Sequence, residues 1–381
     1  MKNNLSLLGG LTVNEFLRDY WQKKPLLIRQ AFPVFGGLLD PQQLIELACT
    51  EDVQARLVTQ QRGRFDLQQA PFEPQDFNRL GKTKGGKAQW TVLVQGVNHH
   101  LPEAAALLKH FSFIPHTRLD DLMVSYARKG GGVGPHFDSY DVFLLQGSGH
   151  RRWQISAQAD RSLIVGAPLR ILRDFRVEQE WVLETGDMLY LPPHYAHNGI
   201  AEDDCMTYSI GFRTPAYQEL GEQFLVYLQD RIEIDGMYAD PGLKAQKHPS
   251  EISADMLQQV GRAIRKVKWD DEDIANFLGC YLSEPKPHIF FDAPAKPLTE
   301  ERFGLAVQKS GVSLDLKTQM LCHDSTAFIN GDAHPVGMGC YRLLRELADT
   351  RSLPASCKLT REATDLLYQW YLDGYLVPRT R

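Results

Sequence analysis

From Trp90 to Phe212 the chain is a succession of short segments rich in β-branched and aromatic residues, each closed by glycine, proline or a polar turn: WTVLVQGV, LMVSYA, DVFLLQG, RRWQIS, RVEQEWVLETGDMLYLP and CMTYSIGF. No other feature constrains the fold as much. Such side chains suit a pleated, half-buried surface, and turns this frequent leave no room for the crossover helices that parallel strands need. Only one helix, over 101–110, is expected to intrude. The stretch predicts an antiparallel sandwich or jelly-roll barrel, not a doubly wound α/β domain.

Helices flank it. Leu11, Phe16, Leu17, Tyr20 and Trp21 fall at helical spacing behind Thr12, an expected N-cap with Glu15 as its capping-box partner. A second helix is expected from Pro41 to Cys49. After Pro215 the pattern turns helical again, in AYQELGEQFLVYLQDRI, ADMLQQVGRAIRKVKW and DEDIANFLGCYLS. SEPKPHIFFDAPAKP reads as a linker into a last region with a helix near Glu300, a hairpin at LCHDSTAFINGDAHPV and two more helices, an order that suggests a winged-helix-like fold. The expected division is 1–215, 216–284 and 285–381.

The formal net charge of -5 gives no argument for a nonspecific nucleic-acid binder. From Phe290 onward, 11 basic and 11 acidic residues cancel, so the last region lacks the footprint of a DNA reader. GKTKGGKAQW has the wrong glycine spacing for a phosphate-binding loop and no Ser or Thr after its final lysine, and reads as a basic connection. The six cysteines lie far apart with no CxxC pair, which argues against cysteine-built zinc and for a reducing cytoplasm. Neither a signal peptide nor a stretch of 18 apolar residues is present, so neither export nor membrane spanning is expected.

The chemistry concentrates around GGVGPHFDSYDVF, residues 131–143. Strand side chains alternate, so His136 and Asp138 point the same way if the strand begins at Pro135. Alone, HxD is commonly only a turn and strand edge. LETGDMLYLPPHYAHNG then supplies His197 on a neighbouring strand. Two imidazoles and one carboxylate form a facial triad that leaves positions open on non-haem Fe(II) for a bidentate cosubstrate and dioxygen. A 2-oxo acid also needs a cation for its distant carboxylate. GSGHRRWQI offers Arg151 and Arg152, of which alternation lets only one face the interior.

FLRDYWQKKPLLIRQAF, LVQGVNHH, RLDDLMVSYARKGGGVGPHFDSYDVFLLQGSGHRRW, ETGDMLYLPPHYAHNG and TYSIGFRTP together resemble the JmjC-type 2-oxoglutarate oxygenases, most closely the bacterial ribosomal-oxygenase branch. The resemblance covers most of residues 10–216, and the later regions agree with that family's domain order. It implies a double-stranded β-helix (jelly-roll, cupin-like) barrel in 1–215 with the N-terminal helices, a helical dimerisation domain in 216–284 and a winged-helix-like domain in 285–381. It assigns His136, Asp138 and His197 to Fe(II) and Arg151 to the far carboxylate of 2-oxoglutarate, with dioxygen as second cosubstrate. It further implies a homodimer and hydroxylation, at the β carbon, of an arginine in a large-subunit ribosomal protein. Many JmjC enzymes use lysine where this chain has Arg151.

Other polar residues are candidates on position alone. Ser125, Tyr126 and Ser209 lie on strands expected to line or support the barrel and are candidates for the cosubstrate, or for satisfying buried hydrogen bonds. Tyr140 and Asn198 flank the metal ligands, and Asp120, Asp141 and Tyr140 have the chemistry to hold a substrate guanidinium. Three competing readings remain at this level: a ribosomal-protein histidine hydroxylase, a cupin-like metal hydrolase or isomerase, and a metal-stabilised ribosome- or RNA-associated adaptor using the basic 262–268 segment.

Overall fold

A computed structural model describes residues 6–61, 63–80 and 89–379. The basic connection at 81–88 falls outside the described residues. The chain divides into two compact units, one running through Thr214 and taking in Pro287–Phe290, the other holding Pro215–Lys286 and the chain from Phe291 onward.

In the first unit the elements are α1 (Val13–Asp19), β1 (Leu26–Ile28), α2 (Pro41–Ala48), β2 (Ala55–Gln61), β3 (Arg64–Gln69), α3 (Pro74–Leu80), β4 (Gln89–Val94), α4 (Pro102–Leu108) and β5 (Leu119–Ala127). They continue with β6 (His136–Phe137), β7 (Val142–Ser148), β8 (Arg151–Ser156), β9 (Gln179–Leu183), β10 (Met188–Leu191), β11 (Ala196–Ala201) and β12 (Cys205–Phe212). The expected caps form: the Thr12 hydroxyl accepts from the Glu15 N–H, and the Glu15 carboxylate accepts from the Thr12 N–H at 2.8 Å. Pro41 opens α2, as expected, behind an Asp40 cap.

The strands make two antiparallel sheets. The larger has the order β1-β10-β7-β12-β5-β4-β2-β3, the smaller β6-β11-β8-β9. The segment RVEQEWVLETGDMLYLP, read above as one stretch, is two strands that go to different sheets. The chain turns between them at Gly186, whose φ of +91° favours glycine and whose added Cβ would lie 2.6 Å from the Phe32 carbonyl oxygen.

Alternation gives the larger sheet two unlike faces. Phe143, Leu145, Tyr208, Ile210 and Val92 on one face join the fully buried Phe16 and Leu44 of α1 and α2 in the main core. The Phe16 ring lies 5.0 Å from that of Tyr190 and 5.6 Å from that of Phe143. The other face turns toward the smaller sheet. There Val142, Leu144, Leu189 and Leu191 pack with Trp153 and Ile155 of β8. Full burial of such side chains stabilises the fold by about 1.5–3 kcal/mol each. This inner core fills only part of the space between the sheets, and the remainder is the cavity described below.

The second unit contains α5 (Tyr217–Gln229), α6 (Ala254–Ile264), α7 (Asp271–Ser283), α8 (Glu300–Ser310), β13 (Val312–Leu314), β14 (Met320–His323), β15 (Thr326–Ile329), β16 (Asp332–Pro335), α9 (Met338–Thr350), β17 (Ser352–Leu353), α10 (Arg361–Leu372) and β18 (Leu376–Pro378). The hairpin expected after Met320 is a three-stranded meander, β14-β15-β16. Phe303, Leu344, Leu367 and Trp370 centre its core. The helices α5 to α7 fall in the same compact unit as the elements that follow them. Among the described residues, no helix is long and apolar enough to cross a membrane.

Candidate active site

The metal-ligand geometry begins with the pairing of β11 against β6, which sets His197 directly opposite His136. The approach to β6 is shaped by glycine: an added Cβ on Gly132 would lie 2.4 Å from the Gly199 carbonyl oxygen, and Gly134 has a φ of +79°. Asp138 follows on the same side. The three ligand atoms of His136, Asp138 and His197 all lie within 4.8 Å of one another. The His197 Nε2 is 3.6 Å and the His136 Nε2 4.0 Å from the Asp138 carboxylate.

Each imidazole Nδ1 faces a backbone carbonyl, His136 that of Gly134 at 2.9 Å and His197 that of Tyr195 at 3.0 Å. Nδ1–H donates there, which leaves each Nε2 as a lone-pair donor aimed at the common point. Burial, followed by the neighbouring His136, pushes the His197 imidazole down to about 4, so it is neutral, as a ligand must be.

Beside the triad is a cavity of about 710 Å³ between the two sheets. Arg151 projects into it from β8 and is 5% exposed. One terminal nitrogen donates to the Ser125 hydroxyl at 3.2 Å and the Thr207 hydroxyl at 3.1 Å, and Thr207 donates in turn to Gln146 at 3.1 Å. The Arg151 Nε has no partner, and among the described residues no carboxylate pairs with this guanidinium. Burial lowers its pKa, yet a guanidinium stays charged. A buried, uncompensated cation costs several kcal/mol, and an anion beside it offsets that cost. Arg152 points outward and pairs with Glu202 at 2.5 Å and Glu180 at 3.5 Å.

Of the lesser candidates, Ser125, Ser209, Asp120 and Tyr140 line the cavity. Asp120 also pairs with Arg213 at 3.3 Å. Desolvation by the surrounding walls, then the Asp138 and Asp121 carboxylates, raise the Tyr140 phenol above its ordinary value, which keeps it a donor. Three candidates lie elsewhere. Tyr126 has the opposite parity to Ser125 and packs into the main core against Trp90. Asn198 has the opposite parity to His197 and donates to Gln154 at 3.0 Å. Asp141, fully buried, takes its guanidinium from within the chain, Arg118 at 3.2 Å. Burial pushes its carboxyl above the ordinary range, opposed by its hydrogen-bond donors.

Sequence reasoning missed Thr207, Asp121 and Arg56 on the wall or the Arg151 bonds. Thr207 was within reach, because it shares the parity of Ser209 on β12.

The donor set fits the groups it implies. Two carbonyl-oriented imidazoles with one carboxylate suit Fe(II) with open coordination positions, and the buried guanidinium, which no carboxylate among the described residues pairs, suits the far carboxylate of a 2-oxo diacid. This fold and site define an Fe(II)- and 2-oxoglutarate-dependent oxygenase.

The JmjC domain family matches residues 106–220, and the ROXA-like winged helix family matches residues 266–377. The ribosomal protein uL16 3-hydroxylase of Escherichia coli K12 is 33% identical over 309 residues, 80% of this chain and 81% of that one. A probable ribosomal oxygenase of Haemophilus influenzae is 37% identical over 331 residues, 84% of this chain and 77% of that one. The solved structure of YcfD, a ribosomal oxygenase from E. coli, in complex with cobalt and 2-oxoglutarate superposes with a TM-score of 0.79 at 30% identity, over 96% of this chain and 97% of that one. The chain belongs to the JmjC-domain ribosomal-oxygenase family.

The His197 imidazole is lowered from 6.5 to about 4, so between those pH values the unfolded chain binds a proton that the folded chain does not. The metal-free protein should therefore lose stability as pH falls through that window, and His197→Asn should flatten this part of the curve while abolishing Fe(II) binding. Urea unfolding across pH and anaerobic iron titration measure the two. A slope or an iron affinity untouched by the substitution would contradict the assignment.

Proposed function

We propose that this protein hydroxylates the β carbon of an arginine side chain in the large-subunit ribosomal protein uL16. The observation that carries the reading is one cavity lined by the three iron ligands, by a buried cation at one part of its wall and by the carboxylates of Asp120 and Asp121 at another. The cation suits an anionic cosubstrate and the carboxylates a cationic target. The uL16 3-hydroxylase relative supports the substrate class.

In this reading His136, Asp138 and His197 hold Fe(II), which with 2-oxoglutarate and dioxygen supplies oxidative decarboxylation to succinate and carbon dioxide coupled to C–H hydroxylation. Arg151 takes the far carboxylate, steadied by Ser125 and Thr207. Ser209 and Tyr140 orient what lies between, and Met123, Val142 and Leu144 keep water from the wall around it. The two sheets are read as the halves of a double-stranded β-helix, with the Arg151 hydrogen bonds tying one to the other.

We also propose a homodimer formed through the 216–284 helices, with 285–381 as a winged-helix-like domain whose main role is not nucleic-acid binding. α6 buries none of its residues, and Leu257, Val260 and Ile264 on it stand exposed, as do Leu225 and Val226 on α5. All six cysteines are unpaired, which supports action in a reducing cytoplasm.

Arg151→Ala should weaken 2-oxoglutarate binding by about two orders of magnitude, while Arg152→Ala stays within about twofold of wild type. Calorimetry on the anaerobic, metal-loaded protein reads both, and equal affinities would count against the Arg151 role. For the substrate, mass spectrometry of ribosomal proteins from cells with and without the gene should show one added oxygen on a single uL16 arginine, reproduced by the purified enzyme. A change on histidine, or loss of a lysine methyl group, would reject the arginine reading. Light scattering should report a dimer, and a monomer at high micromolar concentration would rule out the helical interface.

A further inference from the structure

Between Asp138 and β7 the chain crosses from the smaller sheet to the larger without strand hydrogen bonding. Asp138, Ser139 and Tyr140 all line the cavity along this crossing. A segment of this kind has no ladder to hold its shape, so its geometry depends on its two ends. At the first end the His194 N–H donates to the Asp138 carbonyl at 2.7 Å. At the second stands Asp141, completely buried on the far side of the wall.

Asp141 gathers donors from parts of the chain remote in sequence. Its carboxylate accepts from the Tyr190 hydroxyl at 2.7 Å, the Gln22 side-chain amide at 2.9 Å and the Arg118 guanidinium at 3.2 Å. Its carbonyl accepts from the Phe212 N–H at 3.0 Å. The same Arg118 donates to the Arg213 carbonyl at 2.6 Å, and the Arg213 Nε donates to Asp120 at 3.3 Å. Two cavity-wall residues, Tyr140 and Asp120, are thus tied to one buried carboxylate that does not itself reach the cavity. A carboxylate this buried is costly unless its acceptor sites are filled. Here the donors that fill them come from α1's C-terminal loop, β10 and the turn before β5, which pins the crossing from three directions.

We propose that Asp141 is a positioning residue for hydroxylation, holding Tyr140 directly and Asp120 through Arg118 and Arg213 so that the target side chain meets the iron in one pose. The proposal rests on the hydroxylase reading above. It places the effect of Asp141 on the substrate side, since Arg151 and the two histidines lie outside this network and the remaining ligand, Asp138, is held at the opposite end of the crossing by the His194 N–H.

The test is Asp141→Asn, which keeps the shape and removes the charge. In the full-length, iron-loaded enzyme, kcat/KM for a uL16 peptide should fall about tenfold to a hundredfold. The loss should appear as a raised peptide KM and as less hydroxylated peptide per succinate formed, with 2-oxoglutarate affinity and iron stoichiometry unchanged. Peptide KM and coupling equal to wild type would overturn the proposal, as would a parallel loss of 2-oxoglutarate affinity, which marks general damage. If Asp141→Asn does not fold, Tyr190→Phe and Gln22→Ala each remove one donor and should give the same split on a smaller scale; the absence of any split in both would overturn the proposal. Hydrogen exchange at the Ser139 and Tyr140 amides provides a readout without substrate. It should quicken in the variants while β7 and β12 keep their protection, and unchanged exchange would overturn the proposal even if the wild type failed to act on the peptide. That last failure alone would instead sink the substrate assignment.

Discussion

The register of β11 against its two neighbours is the constraint on which the site depends. One side of the strand places His197 opposite His136, and the other places His197 opposite Ile155 and Ala201 opposite Arg151. The position facing the metal and the buried cation are therefore four residues apart along β8, about 13 Å of strand. Same-face parity directs both side chains inward. A side chain of arginine length and a short dicarboxylate together span such a gap, so one set of backbone hydrogen bonds positions the metal ligands and the buried guanidinium at once. A slip of one residue would turn Arg151 out and Arg152 in.

Because the site lies between sheets, the larger sheet has to satisfy two environments. Its outer face is covered by α1 and α2 and closes the main core around Phe16, Tyr190 and Phe143. Its inner face is apolar where Val142 and Leu144 meet Trp153, and polar where Ser125 and Thr207 meet Arg151 and where Ser209 lines the cavity. The Arg151 hydrogen bonds join the sheets across this polar part, and Trp153 lies under the guanidinium, with 5.5 Å from Cζ to the ring centroid. Packing of the ring beneath the cation helps to keep it aimed when its Nε has no partner.

Much of this was legible in residue types and spacing. Period-two segments announced antiparallel sheets, the HxD pair announced two ligands on one face, and GHRRW announced that one of two arginines turns inward. Resemblance to a family then distinguished Arg151 from Arg152. Errors arose where parity had to be made absolute. Ser125 and Tyr126 are neighbours on β5, and nothing in LMVSYA says which of them meets the other sheet. His197 and Asn198 pose the same problem on β11, and Asn198 faces away.

The sequence by itself determined the local periods, the capping of α1 and α2, the ligand types and their order along the chain, because these depend on contacts within a few residues. Only the tertiary structure decided what Asp141 does. Its partners Gln22 and Tyr190 lie 119 and 49 residues away along the chain, and no periodicity relates positions so far apart. The same holds for the cavity: a wall is made by strands from two sheets, and which side chains share it follows from how those sheets pack, a relation that alternation along any one strand does not contain.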